Sequence, residues 1–481
     1  MARQSYGRAL GELAARHPGR TALVCEDDSL TVAELEKRSN RLARAYAERG
    51  VGEGDRVSLC LPNGIELVTG CLAVWKLGAV PNPLSEHLPA RERDAILDVA
   101  APALVVGVAR ADVPGHASTP AGFVPGAELS DERLPDRTAP HERALASGGS
   151  TGVPKLIVPK SEASYDSENA SALFKAKRAV LVPGPLYHAV PFSATFQGIL
   201  GGCKVVLMRR FDASRFLELV EAHRVDRVSV VPTMMLRIWR LPEAERLGRD
   251  VSSLEFVMSG GAPLPAWLMR AWIDWLGPEV MHEAFGPSER IGGTFITGTE
   301  WLAHPGSVGR PTTPGGIKIL DDEGAELPPG EMGEIFMMPA AGPGSTYEYV
   351  GAKSNTRREG WESVGDMGTL DEDGYLYLGD RRSDMILTGG HNVYPAEIEA
   401  ALQEHPSVRS CAVVGLPDEE FGQRIHAIVE CEGDLDEEAL RGHLETRLIR
   451  YKLPRSFEAV DTSLRNDAGK VRRSALRDAR V

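Results

Sequence analysis

Short apolar segments typical of buried strands alternate with helical segments through the first three quarters of this 481-residue chain. Parallel strands need a long crossover between them, usually a helix, so this alternation indicates βαβ units and largely parallel sheets. A capping box, in which Thr31 precedes Glu34 by three residues, opens a helix that runs to about Glu48. Further helices are predicted over 66–77 and 213–223. Strands are predicted over 56–61, 104–108, 179–182, 204–208 and 227–231.

The pattern of predicted helices and strands changes after Gly379, where a charged turn at 380–384 leads into a segment with its own order of elements. Helices are predicted there over 394–405 and 436–449, and strands over 409–414, 425–431 and 457–460. Two earlier stretches, 114–141 and 339–351, are predicted to be irregular connections. We therefore predict an α/β protein with a large N-terminal domain of sheets layered with helices over 1–379, a hinge over 380–384, and a small, mobile α+β C-terminal domain over 385–481.

Composition excludes several classes of protein. The net charge of −14 argues against binding to nucleic acid or to an anionic membrane. No apolar run is long enough to span a bilayer, and the first ten residues lack the apolar core of a secretory signal. The six cysteines are scattered without a CxxC pair, so neither a zinc site nor a disulfide framework is indicated. We expect a cytoplasmic protein without stable membrane insertion.

The stretch 147–155, Ser-Gly-Gly-Ser-Thr-Gly-Val-Pro-Lys, suits a polyphosphate. Its three glycines let backbone N–H groups close around an anion, its hydroxyl groups add donors, and Lys155 adds a positive charge. It is not a Walker A loop, because no Gly-Lys-Ser/Thr opens a helix at the required spacing. A glycine- and serine-rich surface turn is the alternative interpretation of this stretch taken alone.

Four further segments stand out in order along the chain: Phe-Gly-Pro-Ser-Glu at 285–289, the glycine-flanked Asp366, the charged segment 380–399, and Asn-Asp-Ala-Gly-Lys-Val-Arg-Arg at 466–473. Each has an ordinary interpretation by itself, since acid–glycine turns are common and a single C-terminal lysine is usually solvated. With the glycine-rich stretch they make five ordered motifs that resemble the adenylate-forming superfamily of acyl-CoA synthetases, adenylation domains and luciferases. The resemblance covers nearly the whole chain and implies an active site between the two domains.

The resemblance implies that a carboxylic acid reacts with ATP to give an acyl-adenylate and pyrophosphate, and that a thiol then attacks the adenylate. Lys470 would bridge the carboxylate and the α-phosphate, Glu289 would ligate Mg²⁺, and Thr151 and His188 complete the catalytic set. The residues expected to bind ATP or AMP are Ser147, Gly148, Gly149, Ser150, Thr151, Gly152, Lys155, Gly260, Gly261, Ala262, Glu283, Ala284, Phe285, Gly286, Ser288, Asp366, Arg381 and Lys470.

The same resemblance assigns the nucleoside contacts. Asp366 would accept hydrogen bonds from both ribose hydroxyls, with Arg381 assisting. Phe285 would stack on adenine where the family usually has Tyr, and Ser288 keeps a hydroxyl where Thr is commoner. Glu283 stands where the family often has an amide; as a carboxylate it accepts from the adenine amino group but cannot donate.

His188 matches the aromatic gate of the family near the acyl carboxylate, and a core or surface histidine is the alternative. The acyl pocket would draw on His188, Ala189, Ser193, Ala194, Gly260, Gly292 and Gly293. This set is apolar and small, and 189–196 lacks the Asp with which amino-acid-activating relatives hold an ammonium group. With a run from Val231 that looks like that of bile-acid-type CoA ligases, it predicts a bulky, hydrophobic, non-amino acid such as a polycyclic terpenoid or steroid acid, with aryl or medium-chain fatty acids as the alternative.

Gly389 and Gly390 would line the pantetheine tunnel, although a purely structural turn is the alternative. The family hinge position, usually Asp or Lys, is Ser383 here, which puts its usual charged contact in doubt. The predicted function is an acyl-CoA ligase that uses ATP, Mg²⁺ and CoA. A stand-alone adenylation enzyme that loads a carrier protein and a catalytically silent nucleotide-binding relative stay open, as does a homo-oligomer.

Overall fold

Strands and helices alternate along the chain as far as residue 303, and strands then dominate as far as residue 381. The computed structural model describes residues 3–148, 154–168, 176–353, 360–466 and 469–481. The helices of these residues are α1 Tyr6–Arg16, α2 Val32–Ala47, α3 Ile65–Lys76, α4 Ala90–Ala100, α5 Ala189–Leu200, α6 Ala213–His223, α7 Pro232–Trp239, α8 Glu243–Leu247, α9 Ala266–Leu276, α10 Gly298–Ala303, α11 Pro395–Gln403, α12 Glu437–Glu445 and α13 Arg473–Asp478.

The strands form sheets in both the large and the small part of the chain. They are β1 Gln4–Ser5, β2 Thr21–Cys25, β3 Asp28–Thr31, β4 Arg56–Cys60, β5 Val80–Leu84, β6 Leu104–Val106, β7 Ser118–Thr119, β8 Leu145–Gly148, β9 Pro154–Pro159, β10 Ser164–Tyr165, β11 Ala179–Val182, β12 Lys204–Leu207, β13 Arg227–Val230, β14 Phe256–Gly260, β15 Met281–Phe285, β16 Thr294–Thr297, β17 Ser307–Pro311, β18 Ile317–Leu320, β19 Gly333–Met337, β20 Tyr347–Val350, β21 Asp366–Leu370, β22 Leu376–Arg381, β23 Ile386–Thr388, β24 His391–Val393, β25 Val408–Asp418, β26 Gly422–Cys431 and β27 Ser456–Ala459.

The largest sheet has the strand order β18-β19-β21-β22-β17-β16-β15-β14-β13-β11-β12-β2-β3. The run from β2 through β12, β11, β13 and β14 to β15 is parallel, as the alternation predicted. From β15 onwards, and at β3, neighbouring strands are antiparallel. Between β15 and β16, and between β2 and β3, the connection is short, so it permits a hairpin but no crossover helix. A second sheet, β5-β4-β6-β7, is parallel throughout.

Most predicted elements are present with boundaries shifted by a few residues, and three expectations need correction. The stretch 114–141, predicted to be irregular, contains the two-residue strand β7, which pairs with β6. The capping box forms: the Thr31 side chain accepts from the Glu34 amide, and the Glu34 carboxylate accepts from the Thr31 amide. The predicted helix 436–449 is shorter, because α12 ends at Glu445. The stretch 339–351, predicted to be irregular, contains β20, which pairs with β9 and buries Tyr347.

The C-terminal part has its own sheet and its own buried core. β25 and β26 form a long antiparallel hairpin, and β27 runs parallel to β26. Side chains from Ile386 to Phe457 form a cluster that α11 and α12 cover. This agrees with a small second α+β domain, whereas the boundaries and mobility predicted for it stay predictions. Among the described residues, no helix is both long enough and apolar enough to cross a membrane.

The small domain is held to the large one by contacts at the end of α7 and on α4. The guanidinium of Arg240 donates to the backbone carbonyls of Gln403 and Arg409, each at 3.1 Å. Arg472 forms an exposed two-bond ion pair with Glu92, with the shorter distance 2.6 Å. These contacts fix the orientation in which the end of the chain meets the large domain.

The predicted hinge consists of the end of β22 and a single 3₁₀ turn, Arg382–Asp384. Ser383 donates only a long hydrogen bond, 3.4 Å, to Asp384. A charged contact is nevertheless present, because Arg473 lies 3.0 Å from Asp384 and 3.6 Å from Asp380. Arg473 also pairs with Glu399 at 2.9 Å. The charge expected at the hinge position is therefore supplied by its neighbours.

A buried ion pair joins α2 to α3 inside the large domain. Lys76 Nζ lies 2.5 Å from Glu36 Oε2, and both side chains are almost fully buried. Burial lowers the pKa of Lys76, and the Glu36 carboxylate opposes that shift. Asn40 Nδ2 donates to the other Glu36 oxygen at 3.1 Å. The pair therefore satisfies two charges that would be costly to bury alone.

Replacing Glu36 with Gln leaves the buried Lys76 ammonium without its anionic partner. We expect the free energy of unfolding to fall by about 3–5 kcal/mol, whereas the apolar double variant Glu36→Leu/Lys76→Met should recover most of it. Urea unfolding followed by tryptophan fluorescence measures the change. The control Glu12→Gln breaks an exposed pair with Arg8 and should leave the midpoint nearly unchanged. Equal midpoints for Glu36→Gln and Glu12→Gln would contradict this account.

Candidate active site

The carboxyl ends of the parallel strands bring several predicted site residues to one edge of the central sheet. The connection after β11 leads to His188, which precedes the first turn of α5. β14 ends at Gly260 and β15 at Phe285, and the two strands run side by side with Gly260 opposite Ala284. Ligands of open α/β sheets bind at this edge, where loops from neighbouring strands meet. The topology therefore gathers segments that are far apart in sequence.

The glycine-rich stretch joins two paired strands, β8 and β9. Ser147 lies opposite Lys155, and Gly148 lies opposite Pro154, in antiparallel register. The hairpin thus holds the two ends of the predicted phosphate loop next to each other. The predicted ligands Gly149, Ser150, Thr151 and Gly152 lie outside the described residues.

Tyr349 connects Glu289 with Lys155. Its hydroxyl donates to Glu289 Oε1 at 2.6 Å, and the Lys155 ammonium lies 3.7 Å from the centre of its ring. Burial and the bond to Glu289 raise the pKa of the Tyr349 phenol, so it remains a donor. A cation over an aromatic face is a favourable contact. Sequence reasoning missed Tyr349 because it lies in the stretch predicted to be irregular; the short alternation Tyr-Glu-Tyr-Val was the available signal.

Glu289 is buried, with 7% of its surface exposed, and it supplies a single carboxylate. Across the part of the chain that the structure describes, no three His, Cys, Asp or Glu residues are grouped as a metal cage. This donor set fits Mg²⁺, which typically takes one or two carboxylates and completes its shell with water and substrate phosphates. Glu289 would hold the ion, and the ion would neutralise charge on the phosphates.

A buried charge network lies directly behind Glu289. Arg290, whose backbone is left-handed at φ 57°, places its guanidinium 2.8 Å from Glu142 Oε2. Arg143, almost fully buried, donates to Glu142 at 2.7 Å and to Ser193 Oγ at 2.9 Å. Burial opposes ionisation of Glu142, but the Arg143 and Arg290 guanidinium groups outweigh this effect, so the pKa of Glu142 is lowered. The network ties the Glu289 turn to β8 and α5, and it places the Ser193 hydroxyl against Arg143.

Glu283 is buried on β15, in register with Ser259 on β14. Burial raises the pKa of Glu283 to about 8, so the carboxyl keeps its proton at neutral pH. A protonated carboxyl donates as well as accepts, which corrects the expectation that this side chain cannot donate. The Ser259 hydroxyl beside it is fully buried and has no hydrogen-bond partner among the described residues. This pair resembles a side-chain amide in its hydrogen-bonding capacity.

The predicted pocket glycines pack too closely against their neighbours to carry a Cβ without a shift. A Cβ on Gly260 would lie 2.9 Å from the Ala284 carbonyl oxygen, and one on Gly293 would lie 2.7 Å from that of Phe285. A Cβ on Gly292 would lie 2.9 Å from the sulfur of Met337. Substitution of Gly260 or Gly293 would therefore displace strand backbone before it filled a ligand pocket, whereas substitution of Gly292 would first displace the Met337 side chain.

The remaining predicted residues take ordinary local positions. Asp366 begins β21 and lies opposite Arg381 at the end of β22; the Arg381 side chain is outside the part of the chain described. Gly389 and Gly390 form the turn between β23 and β24, with φ of 54° and 80°. This left-handed turn explains both glycines structurally, and the tunnel stays a prediction. Ala194 packs in the large core cluster around Trp75.

The end of the chain reaches the edge of the sheet where His188 lies. Gly469 packs against Thr233 on α7 so closely that any Cβ would collide with the threonine hydroxyl. His188 Nε2 is buried and has no partner among the described residues. Burial, reinforced by the Lys470 ammonium, lowers the pKa of His188 to about 3. The imidazole is therefore neutral at physiological pH, and Lys470 supplies the positive charge beside it.

The model of the AMP-binding enzyme family matches residues 10–349 of this chain, and the model of the AMP-binding enzyme C-terminal domain matches residues 397–470. Feruloyl-CoA synthase from Amycolatopsis sp is 33% identical over 501 residues, with 99% of each chain covered. The long-chain-fatty-acid–CoA ligase FadD13 of Mycobacterium tuberculosis (strain ATCC 25618 / H37Rv) is 31% identical over 484 residues, covering 94% of this chain and 93% of that enzyme.

Solved structures agree with these matches. O-succinylbenzoate CoA synthetase (MenE) from Bacillus subtilis, in complex with the acyl-adenylate intermediate OSB-AMP, is 27% identical, with a TM-score of 0.83 and 99% of each chain covered. The same protein in complex with ATP and a magnesium ion gives a TM-score of 0.81 at 27% identity, covering 99% of this chain and 100% of that one. The likeness therefore extends over both the large and the small domain.

The buried Glu283 carboxyl makes stability depend on pH. Its proton leaves the unfolded chain near pH 4.5 but leaves the folded chain only near pH 8, so the folded state binds more protons between these values. Stability must therefore fall as pH rises through that window, by roughly 1.4 kcal/mol per pH unit. Glu283→Gln should remove this slope, so that its melting temperature exceeds that of the parent increasingly from pH 5 to 8. The exposed control Glu279→Gln should follow the parent; a parallel course for Glu283→Gln would refute the assignment.

Proposed function

We propose that this chain, which belongs to the AMP-binding enzyme family, activates a bulky hydrophobic carboxylic acid with ATP and transfers the acyl group to CoA. The family and the relatives make it an ATP-dependent, AMP-forming acid–thiol ligase. One observation supports the proposal: Gly469 of the small domain packs against Thr233 on α7, and the next residue, Lys470, is near enough to His188 to lower its pKa. A cation supplied there suits the step that joins two anions.

In the first half-reaction the acid carboxylate attacks the α-phosphorus of ATP, and pyrophosphate leaves. The barrier comes largely from bringing two anions together, so fixed positive charge is the main contribution expected of the protein. Lys470 would meet the carboxylate and the α-phosphate, and Lys155 would meet the departing phosphates. His188 stays neutral because it is buried, so it shapes the acyl side without competing for the anion. Magnesium would supply further charge neutralisation at the phosphates.

In the second half-reaction the CoA thiol attacks the acyl carbon of the adenylate, and AMP leaves. We propose that the small domain rotates about 380–384 between the steps, so that Lys470 would act in the first step only. The contacts that hold it in the present orientation include the half-buried Arg240 with two carbonyls, the exposed pair of Arg472 with Glu92, and the packing of Gly469 against Thr233. Rotation about a short hinge breaks such contacts at little cost. Gly389 and Gly390 would then approach the thiol.

The proposed acid is bulky, hydrophobic and without an amino group. Helix α5, which follows His188, contains no charged residue, and Val190 in its first turn is 41% exposed. The relatives carry the names of an aryl acid and a long-chain fatty acid, which belong to the same apolar class. A polycyclic acid remains our first choice, and aryl and fatty acids are the runner-up.

Removal of the Lys470 charge should separate the half-reactions. We expect Lys470→Ala to lose acid-dependent pyrophosphate release by roughly 10²-fold or more, the scale for one transition-state contact. The same variant should still convert synthetic acyl-AMP and CoA to thioester. Lys452→Ala, whose ammonium binds Glu397 elsewhere on the small domain, is the control and should retain both steps. Equal loss of the two steps in Lys470→Ala would argue against the assignment.

The proposed acyl pocket can be tested with carboxylic acids of different size. A panel of acetate, ferulate, a long-chain fatty acid and a steroid acid, each with ATP and either CoA or a phosphopantetheinyl carrier protein, identifies acid and acceptor by mass spectrometry. We expect Ala189→Trp to cost bulky acids at least about tenfold more in kcat/KM than acetate, since it fills space beside His188. Ala266→Trp, exposed on α9, is the matched control. Acetate as the best substrate, or thioester formed only on the carrier, would overturn this proposal.

A further inference from the structure

Tyr349 touches both the candidate metal carboxylate and the lysine of the phosphate hairpin, and the function proposed above gives it no role. Its hydroxyl donates to Glu289 Oε1 at 2.6 Å, while the Lys155 ammonium lies 3.7 Å from the centre of its ring. We propose that Tyr349 is a positioning residue: its hydroxyl sets the orientation of the Glu289 carboxylate for Mg²⁺, and its ring sets the position of Lys155 for the phosphates. This inference rests on the proposed function of the same site.

The position of Tyr349 is fixed by strand pairing and by a neighbouring ring. β20 is paired with β9 residue by residue, with Tyr349 opposite Ile157 and Val350 opposite Leu156. Lys155 is the next residue along β9, so the lysine and the tyrosine belong to one small sheet. Tyr347, 4% exposed, packs edge-on against Tyr349 with ring centres 4.8 Å apart. The tyrosine ring is therefore held from the strand and from its neighbour.

Glu289, which accepts the hydrogen bond from the Tyr349 hydroxyl, is also held in place. Glu289 is buried, and the residue after it, Arg290, has a left-handed backbone and is anchored 2.8 Å from the buried Glu142. The turn fixes where the Glu289 side chain begins, but not how its carboxylate group is rotated. Tyr349 supplies that missing constraint by binding one carboxylate oxygen, which sets the direction of the other. A metal carboxylate held in this way is ordered before the ion arrives.

The two contacts use different parts of one side chain, so they can be removed separately. Tyr349→Phe deletes the hydroxyl and keeps the ring under Lys155. Tyr349→Leu deletes both. Tyr377→Phe is the matched control, because it removes a tyrosine hydroxyl that binds a carboxylate, Asp371, at 3.3 Å elsewhere in the same domain.

The test measures ATP binding by isothermal titration calorimetry without any acid, once with Mg²⁺ and once with EDTA. For Tyr349→Phe we expect about a tenfold weaker Kd with Mg²⁺ and an unchanged Kd with EDTA, since a hydrogen bond to a charged group is lost. Tyr349→Leu should weaken binding under both conditions, and Tyr377→Phe under neither. In the Glu289→Gln background, Tyr349→Phe should cause no further loss, because the two side chains act together.

Equal weakening of Tyr349→Phe with and without Mg²⁺, or no weakening at all, would overturn the inference. A full additional loss on Glu289→Gln would do the same, since it would show a structural role independent of the carboxylate. These readouts need no turnover. Failure of every acid to release pyrophosphate from the parent protein would instead count against the proposed function, so the two failures are distinguishable.

Discussion

The parallel pairing of β11, β13, β14 and β15 is the constraint on which the rest of this structure depends. Parallel strands in register end at the same edge of a sheet, so each of the loops that follow must start there. His188, the turn after Gly260 and the segment from Phe285 to Glu289 thereby come together from distant parts of the sequence. The close approach of β14 to β15 admits only glycine at 260, where a Cβ would lie 2.9 Å from a carbonyl oxygen.

Buried charge organises the region behind that edge. Glu142 lies between the Arg143 and Arg290 guanidinium groups, at 2.7 and 2.8 Å, so its carboxylate stays ionised despite burial. Among the described residues no charged group shifts the pKa of Glu283, and burial leaves its carboxyl protonated at neutral pH. Two glutamates in one domain therefore hold opposite protonation states at pH 7, and the difference comes from neighbouring charge rather than from depth.

The sequence predicted the α/β class, the parallel half of the large sheet and the separate C-terminal unit, because strand and helix periodicities are local properties. The resemblance carried by the ordered motifs also proposed Lys155, Glu289 and Lys470 as site residues, and these assignments stay predictions. The sequence could not predict Tyr349, because a four-residue alternation inside a glycine- and proline-rich stretch looks like a loop until β9 supplies a partner. Helix 436–449 was overextended for the opposite reason, since helical composition continues past the point where α12 ends.

Protonation of Glu283 lay equally beyond sequence reasoning, because residue type fixes the ordinary pKa and only the fold determines burial. The network of Glu142, Arg143 and Arg290 was hidden too, since its members are adjacent or distant in sequence without periodic spacing. Such contacts depend on which strands become neighbours, and this information is distributed over the whole chain.

The arrangement around Arg473 has a consequence for any rotation of the small domain. Its guanidinium is shared by Asp380 before the hinge turn, Asp384 within it and Glu399 beyond it. Arg473 and Glu399 both belong to the small domain, so their pair at 2.9 Å would move as a unit, whereas the contact to Asp380 is already the longest at 3.6 Å. The arginine would therefore keep the Glu399 carboxylate as its counter-charge while the small domain turns. A cation shared among several anions in this way keeps a counter-charge when one of its contacts breaks.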